Sequence, residues 1–417
     1  MIMERVNGKN ILGLNGAGRI GKLTLWNHIL NKHFGGIVVN VGRGVGKNLD
    51  ALLHNIQNDS TYGSLNNFLY GHSGKKCEIK MIDSAQNLVE IDGIPVKFLQ
   101  TARNPRDINW AAENVRLVVD CTGAFLDPTV PADNAKGSLR GHLEAGAEKV
   151  IASAPFKIKD STQKMPADAN MMVYGINHLE FDARKHHILS AASCTTTGLS
   201  HMMKPLLDTP ETSTILTASM STIHASTSTQ SILDSVPSAG TGDLRKSRSV
   251  FNNIIITSTG AAKALEKIIP QVQEIGFMAD SVRIPTNTAS LIILNVTFHS
   301  PVNEIGEPVV TREFLNQIYK TAANGSLAGL LEFSELQNVS ADMIGRRAAV
   351  VIEGVETHTR TGFMTLNPSV LKGFGVEIPQ DIMIPVCHAK IFGWYDNEFG
   401  SYVNMLGKLT EYVDMKM

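Results

Sequence analysis

Two patterns of apolar and polar positions divide the chain. In the first half, short apolar runs end in turns of small residues: Asn10-Ile-Leu-Gly-Leu14, Gly36-Ile-Val-Val-Asn-Val41, Val115-Arg-Leu-Val-Val-Asp120 and Lys149-Val-Ile-Ala-Ser-Ala-Pro155. Runs this short and continuous predict strands buried on both faces. Helical spacing between them, at Lys22 to Leu30 and within Leu126 to Glu148 behind a Pro/Asp/Gly-rich preamble, gives the alternating order of an α/β domain with a parallel sheet. Lys157 to Asn170 is polar and predicts an exposed loop. Later the pattern changes. Thr214 to His224 and Ser290 to His299 are long, β-branched and alternating, as in a broad sheet of an α+β domain. Between the two halves, Leu199, Met202, Met203 and Leu206 recur at helical spacing behind Ser190-Ala-Ala-Ser-Cys194-Thr-Thr-Thr-Gly198, which predicts a helix opening at Cys194. No repeat or flexible linker separates the halves, so the boundary is expected at the cysteine.

The first strand leads into Asn15-Gly-Ala-Gly-Arg-Ile-Gly21, with Gly16, Gly18 and Gly21 in the G-x-G-x-x-G spacing. One glycine serves the turn, one the approach of a pyrophosphate, and one the packing of helix on strand. The strand before and the helix after supply the context of a Rossmann dinucleotide site, the diphosphate lying against the helix N-terminus. The second strand ends where such folds offer an acid to the ribose. Here the residue is Val41, followed by Arg43 and Lys47. A missing carboxylate beside two cations removes repulsion from a 2′-phosphate, so the reading leans toward NADP over NAD. The turns at Thr122-Gly123 and Ser153 close later strands and approach the same cofactor.

A thiol at a helix N-terminus meets the positive end of the peptide dipoles and unpaired N–H groups, which favour thiolate and can hold an oxyanion. His224 ends a predicted strand and is the partner such a thiolate needs as proton acceptor. Thr227 and Thr229 follow it, and Arg283 lies in Ser281-Val-Arg-Ile-Pro-Thr286; hydroxyls with a guanidinium suit a phosphate. Ile256-Thr-Ser-Thr-Gly260 precedes a predicted helix, so Thr259 and Gly260 form a second anion-ready turn.

Composition narrows the partners. The 417 residues carry a net charge of −1, which argues against nucleic acid or an anionic membrane surface. The four cysteines (Cys77, Cys121, Cys194 and Cys387) are scattered with no C-x-x-C pair, so neither a disulfide framework nor a metal site is expected, and a reducing cytoplasm suits them. No apolar run is long enough to span a bilayer. Glu4, Arg5, Asn7 and Lys9 leave no apolar signal-peptide core.

The motifs Asn15 to Gly21, Asp59-Ser-Thr-Tyr-Gly63, Ser153-Ala-Pro155, Ser193-Cys-Thr-Thr196, His224, Ser258-Thr-Gly-Ala-Ala-Lys263, Arg283-Ile-Pro-Thr286 and Trp394-Tyr-Asp-Asn-Glu-Phe-Gly400 together resemble the phosphorylating glyceraldehyde-3-phosphate dehydrogenase family. They follow that family's order over nearly the whole chain. The resemblance implies a nucleotide-binding domain over 1–193 completed by a final helix near 398–417, and a catalytic domain over 194–397. It implies Cys194 as nucleophile and His224 as base, with Thr227 and Arg283 on the substrate phosphate and Thr229 close by. Ser193, Thr195, Thr259 and Gly260 would hold inorganic phosphate, and Arg248 would lie near the active site. Asn15, Gly16, Gly18, Arg19, Ile20, Gly21, Arg43, Thr122, Gly123 and Ser153 would line the cofactor, and Asn397 would bind the nicotinamide carboxamide. The implied chemistry is a thiohemiacetal, a thioester after hydride loss, and release of an acyl phosphate. The implied assembly is a homotetramer.

Departures from the family pattern mark a divergent branch. Thr197 replaces an asparagine, Val41 the ribose-binding acid, Ser231 a lysine and Ser401 a tyrosine, with Tyr402 next. The loop Ser235 to Gly242 is longer than usual, and additions are expected around Arg346 to Val355 and Pro368 to Pro385. Erythrose 4-phosphate is the alternative substrate, with water in place of phosphate. A regulatory homologue with an inactive site is the reading from another class; the joint presence of Cys194, His224, Arg283 and Asn397 argues against it.

Overall fold

The computed structural model describes residues 8–45, 47–100 and 102–417, apart from the side chain of residue 370. The polar stretch at Glu4 to Asn7 falls outside the described residues. The chain divides into two compact units, Met1–Cys194 with Glu398–Met417, and Thr195–Asn397.

The first unit holds a nine-stranded sheet. Its strands are β1 (Ile11–Asn15), β2 (Gly36–Asn40), β3 (Ile79–Asp83), β4 (Leu88–Ile91), β5 (Ile94–Leu99), β6 (Val115–Asp120), β7 (Lys149–Ala152), β8 (Ala169–Met171) and β9 (Ile188–Ser190). The spatial order is β8-β9-β7-β6-β1-β2-β5-β4-β3. β1 pairs in parallel with β2 and β6, and β6 with β7, as their unbroken apolar runs require. Alternate residues feed two cores. Leu12, Leu14, Ile37, Val39, Leu117 and Val119 pack with Leu23, Trp26 and Ile29 of α1 (Arg19–Asn31) and with Leu406, Leu409 and Val413 near the C-terminus. Ile11, Val38, Val118 and Val150 face the opposite way, against Trp110 and Leu139. Each such aliphatic side chain contributes about 1.5–3 kcal/mol when fully buried.

The helix expected within 126–148 is Leu139–Glu144, behind turns formed by its Pro/Asp/Gly-rich preamble. Two other local expectations are corrected. The exposed loop after Lys157 gives way to β8, since Ala169 and Met171 are buried beside β9. The last helix does not run uniformly from Glu398. Phe399–Asn404 is a π-helix, with Val403 N–H bonded to the Glu398 carbonyl five residues back (3.2 Å), before the α-helix Met405–Lys416.

The second unit holds an eight-stranded mixed sheet. Its strands are β10 (Ile215–Ala225), β11 (Ile255–Thr257), β12 (Gly276–Ile284), β13 (Ser290–His299), β14 (Leu331–Ser334), β15 (Val350–Glu353), β16 (His358–Leu366) and β17 (Ile382–Tyr395). The order is β11-β12-β10-β13-β17-β15-β14, with β16 paired to β17. β10 and β12 run parallel; β10 and β13 run antiparallel. Met220, Ile292, Leu294, Val296 and Ile391 point to a covered face, while Ser219, Ser221, Asn295 and Thr297 alternate onto a half-exposed one. Of the two expected additions, 346–355 holds a sheet strand. It contributes β15, a buried strand between β14 and β17, because Val350, Val351 and Ile352 carry core side chains. The segment 368–385 joins β16 to β17, and its neighbourhood exposes Phe363, Phe374 and Met383. Among the described residues no helix is long and apolar enough to cross a membrane.

Candidate functional site

In the first unit, the turn after β1 has the form a dinucleotide needs. Gly16 sits at φ +98°, closed to most side chains, and its N–H bonds to the Asn40 carbonyl (2.8 Å). A Cβ at Gly21 would fall 1.9 Å from the Gly16 carbonyl oxygen, so helix and turn touch backbone to backbone. Gly18 caps α1 without any side-chain bond, and a Cβ there would meet nothing within 4 Å. The start of α1 is thus uncrowded by side chains at Gly18, and the cradle fits a pyrophosphate. Ile20 packs into the core beneath the turn.

Asn15 and Arg19 are held by protein partners. Asn15 accepts from Asn40 Nδ2 and donates to Asp120 Oδ2, both at 2.8 Å. Asp120 also accepts from Thr122 Oγ1 (2.6 Å) and bonds to His142 Nε2 (3.0 Å). Burial opposes its charge, but these bonds win and hold the carboxyl below its usual range. Arg19 bonds to Asp59 and to both carboxylate oxygens of Glu398, so the glycine turn, the Asp59 motif and Glu398 are tied together. Arg43 and Lys47 are exposed, whereas Val41 packs partly into the core. Gly123 takes φ +65° in an exposed turn, and the Ser153 N–H bonds to the Asp120 carbonyl (2.8 Å).

The helix Cys194–Asp208, α2, opens at the cysteine, which is half-buried beside Ser193. Two residues earlier, Ala192 is held at φ +56°, costly for a residue with a Cβ. Its carbonyl accepts from Tyr402 Oη (3.1 Å) and its N–H donates to Ser190 Oγ (3.1 Å). Ser401 Oγ donates to the Cys194 carbonyl (2.8 Å). The π-turn lets both neighbouring side chains, Ser401 and Tyr402, hold this bend. The other thiols are poor nucleophiles: burial pushes Cys77 up to about 11 and Cys121 up to about 12, and it raises Cys387 as well.

In the second unit, β10 and β12 set His224 and Arg283 side by side as register partners. His224 Nδ1 lies 2.7 Å from the Ala225 carbonyl, which can only accept, and also bonds to Arg283 Nη1, which can only donate. Arg283 donates to the same carbonyl (3.1 Å) and lies against Nδ1. Burial first, and then the Arg283 charge, push the imidazole down to about 3, so His224 is neutral at physiological pH.

Thr227 and Thr229 form one hydroxyl pair, 2.9 Å apart. Thr259 Oγ1 accepts from the Ala261 N–H (3.2 Å) at the start of the helix Ala261–Ile268, and Gly260 caps that helix without a side chain. Arg248 is exposed and bonds to Asp234 Oδ2 (3.1 Å). Asn397 is buried, its Oδ1 accepting from Ser290 Oγ (2.9 Å), so its amide N–H groups are the donors left to a ligand. Ser290 Oγ also accepts the Ala225 N–H (3.0 Å), which links the His224 strand end to Asn397. Sequence reasoning missed Ser290. It also missed Tyr395, whose hydroxyl bonds to Thr195 Oγ1 (3.0 Å) and Thr222 Oγ1 (2.7 Å). Neither carries a local signal; each acts by pairing with residues remote in sequence.

Comparison with known proteins gives the family. Residues 11–128 match the profile of the glyceraldehyde 3-phosphate dehydrogenase NAD binding domain, and residues 193–367 that of the C-terminal domain. β15 falls within the second match, whereas 368–385 lies beyond it. Glyceraldehyde-3-phosphate dehydrogenase 1 of Bacillus subtilis (strain 168) is 33% identical over 405 residues, covering 97% of this chain and 98% of its own. Glyceraldehyde-3-phosphate dehydrogenase 2 of Caenorhabditis elegans is 31% identical over 410 residues, covering 98% and 99%. Glyceraldehyde-3-phosphate dehydrogenase 2 of Streptomyces avermitilis is 34% identical over 326 residues, covering 78% and 79%. The chain belongs to the glyceraldehyde-3-phosphate dehydrogenase family.

Proposed function

We propose that the protein oxidises glyceraldehyde 3-phosphate to an acyl phosphate through a thioester on Cys194. The observation that carries this reading is His224: buried and kept neutral, with Nδ1 held by the Ala225 carbonyl and Arg283, and so beside a cation suited to a phosphate. His224 takes the Cys194 proton as the sulfur adds to the aldehyde carbon and passes it to the oxygen of the thiohemiacetal; it takes the same proton back as hydride leaves. The nicotinamide, when bound, supplies the acceptor for the departing hydride. Phosphate then displaces Cys194 from the thioester, with the α2 N–H groups holding the developing oxyanion.

Arg283 and Thr227, with Thr229, bind the substrate phosphate; Ser193, Thr195, Thr259 and Gly260 bind the attacking phosphate. Charge-assisted bonds from a guanidinium and hydroxyl donors suit both. Gly16, Gly18 and Gly21 admit the pyrophosphate, Thr122, Gly123 and Ser153 line it, and Asn397 donates to the carboxamide. Asn15 and Arg19 act by holding this turn. NADP is taken at least as readily as NAD, on the grounds that Val41 supplies no carboxylate and Arg43 is exposed nearby. The working assembly is a homotetramer, supported by the half-exposed face of the second sheet and by exposed Ile254, Ile256 and Met278. A cytoplasmic location is supported by four unbridged thiols.

A steady-state assay of glyceraldehyde 3-phosphate and erythrose 4-phosphate, each with NAD and NADP and with phosphate varied, tests the reading. Phosphate-dependent turnover of the triose with either cofactor is expected. Phosphate-independent oxidation of the tetrose in preference would replace this reading, and strict preference for NAD would remove the cofactor inference alone.

A further inference from the structure

The hydroxyl cluster after β10 contains a residue that the proposed reaction leaves without a task. Gln230 Oε1 accepts from the Thr227 N–H (2.9 Å) and from the Thr227 hydroxyl (3.0 Å), while its Nε2 donates to Thr229 Oγ1 (3.0 Å). A backbone N–H can only donate, so the amide orientation is fixed by the Thr227 N–H. The single hydroxyl proton of Thr227 is therefore committed to Gln230. The 2.9 Å contact between the two threonines must then be a donation from Thr229 to Thr227. Three side chains close one ring in which every hydrogen bond runs in the same sense. A turn bond from Gln230 N–H to the Thr227 carbonyl (3.0 Å) holds the ring's ends.

We infer that Gln230 is the positioning residue of the substrate-phosphate site, keeping Thr227 and Thr229 together and supplying their partners until a phosphate does so. This rests on the proposed role of Thr227 and Arg283. A phosphate oxygen has only lone pairs to offer, so each threonine must turn its proton from the ring to the anion. Gln230 Oε1 then keeps the Thr227 N–H and the turn stays folded. The residue must hold both an acceptor and a donor, and it must be uncharged, because an anion 3.0 Å from a phosphate-binding hydroxyl repels the ligand.

Gln230→Glu and Gln230→Ala separate these requirements. Glutamate keeps both accepted bonds and the turn but adds the charge; alanine loses the ring without adding charge. KM is measured for glyceraldehyde 3-phosphate and for unphosphorylated glyceraldehyde, with thermal unfolding as a check on folding. For Gln230→Glu the KM of the phosphorylated aldehyde should rise about tenfold or more, with kcat and the unphosphorylated KM nearly unchanged. Gln230→Ala should give a smaller rise, again confined to the phosphorylated substrate. Equal effects on the two aldehydes, or none with either variant, overturn the assignment. Arg283→Ala is run alongside. If it abolishes the preference for the phosphorylated aldehyde and the Gln230 variants do not, only the role of Gln230 falls. If none of the variants alters that preference, the phosphate-site reading falls with it.

Discussion

Two buried histidines, one in each unit, show how the same side chain is put to different use. His142 lies between Trp110 and Asp120: the indole Nε1–H donates to its Nδ1 (2.9 Å), so Nε2 carries the proton and gives it to the carboxylate (3.0 Å). Both nitrogens are committed, and the ring carries the network Asn40–Asn15–Asp120 beneath the glycine turn. His224 has a carbonyl on Nδ1 and a guanidinium beside it. Burial and the cation together oppose protonation of this ring. A carboxylate neighbour and an indole use up both nitrogens of His142; a buried cation beside His224 keeps its ring uncharged, as the proposed base requires.

The largest effect should come from breaking each histidine in turn. His224→Asn is expected to lower kcat by about 10²–10⁴ with little change in the unfolding midpoint. His142→Leu should leave kcat nearly intact but cost about 1–3 kcal/mol, because a buried carboxylate and an indole N–H lose their partner. Urea unfolding and kcat measured on both variants decide the matter; a catalytic loss of similar size in both would erase the distinction. A middle-sized effect is expected from Arg283→Gln. Removing the cation favours the imidazolium, so the His224 pKa rises from about 3 and the acidic limb of the kcat/KM profile moves to higher pH. A limb that stays in place or moves down would show that Arg283 does not hold His224 neutral.

The smallest effect concerns stability in acid, and it extends the comparison to a third buried histidine. His28 on α1 is pushed down to about 3 by burial first and then by the neighbouring His33. In the unfolded chain it titrates near its ordinary value of about 6.5. Between these two values the unfolded state binds the extra proton, so stability falls as pH drops through that window and recovers as pH rises. His28→Leu removes this dependence; the gap in unfolding midpoint between about pH 7.5 and pH 4 should narrow. An unchanged gap would mean that other groups account for the acid sensitivity.

Much of the first unit was legible because its signals are local. The G-x-G-x-x-G turn is a matter of φ at Gly16 and of clearance at Gly21, both read from neighbouring residues. The helix opening at Cys194 was legible in the spacing of Leu199, Met202, Met203 and Leu206. What residues 346–355 build was not legible, because composition does not say whether an apolar run is inserted into a sheet or laid outside it. β15 takes an inner place through its pairing with β14 and β17. The π-turn at Phe399–Asn404 was missed for a related reason: a fifth-residue hydrogen bond leaves no periodicity of its own in so short a stretch.

By itself the sequence determined the family, the strand–turn–helix of the nucleotide site and the residue types available for chemistry, because periodicity, glycine placement and capping act over a few residues. Only the tertiary structure decided which partners those residues meet. Arg283 stands beside His224 through strand register, Ser290 joins Ala225 to Asn397, and Arg19 holds Glu398 from the far end of the chain. Such pairs depend on how strands align and how distant segments return. The energies that set this alignment are spread over whole cores and are carried by no single motif.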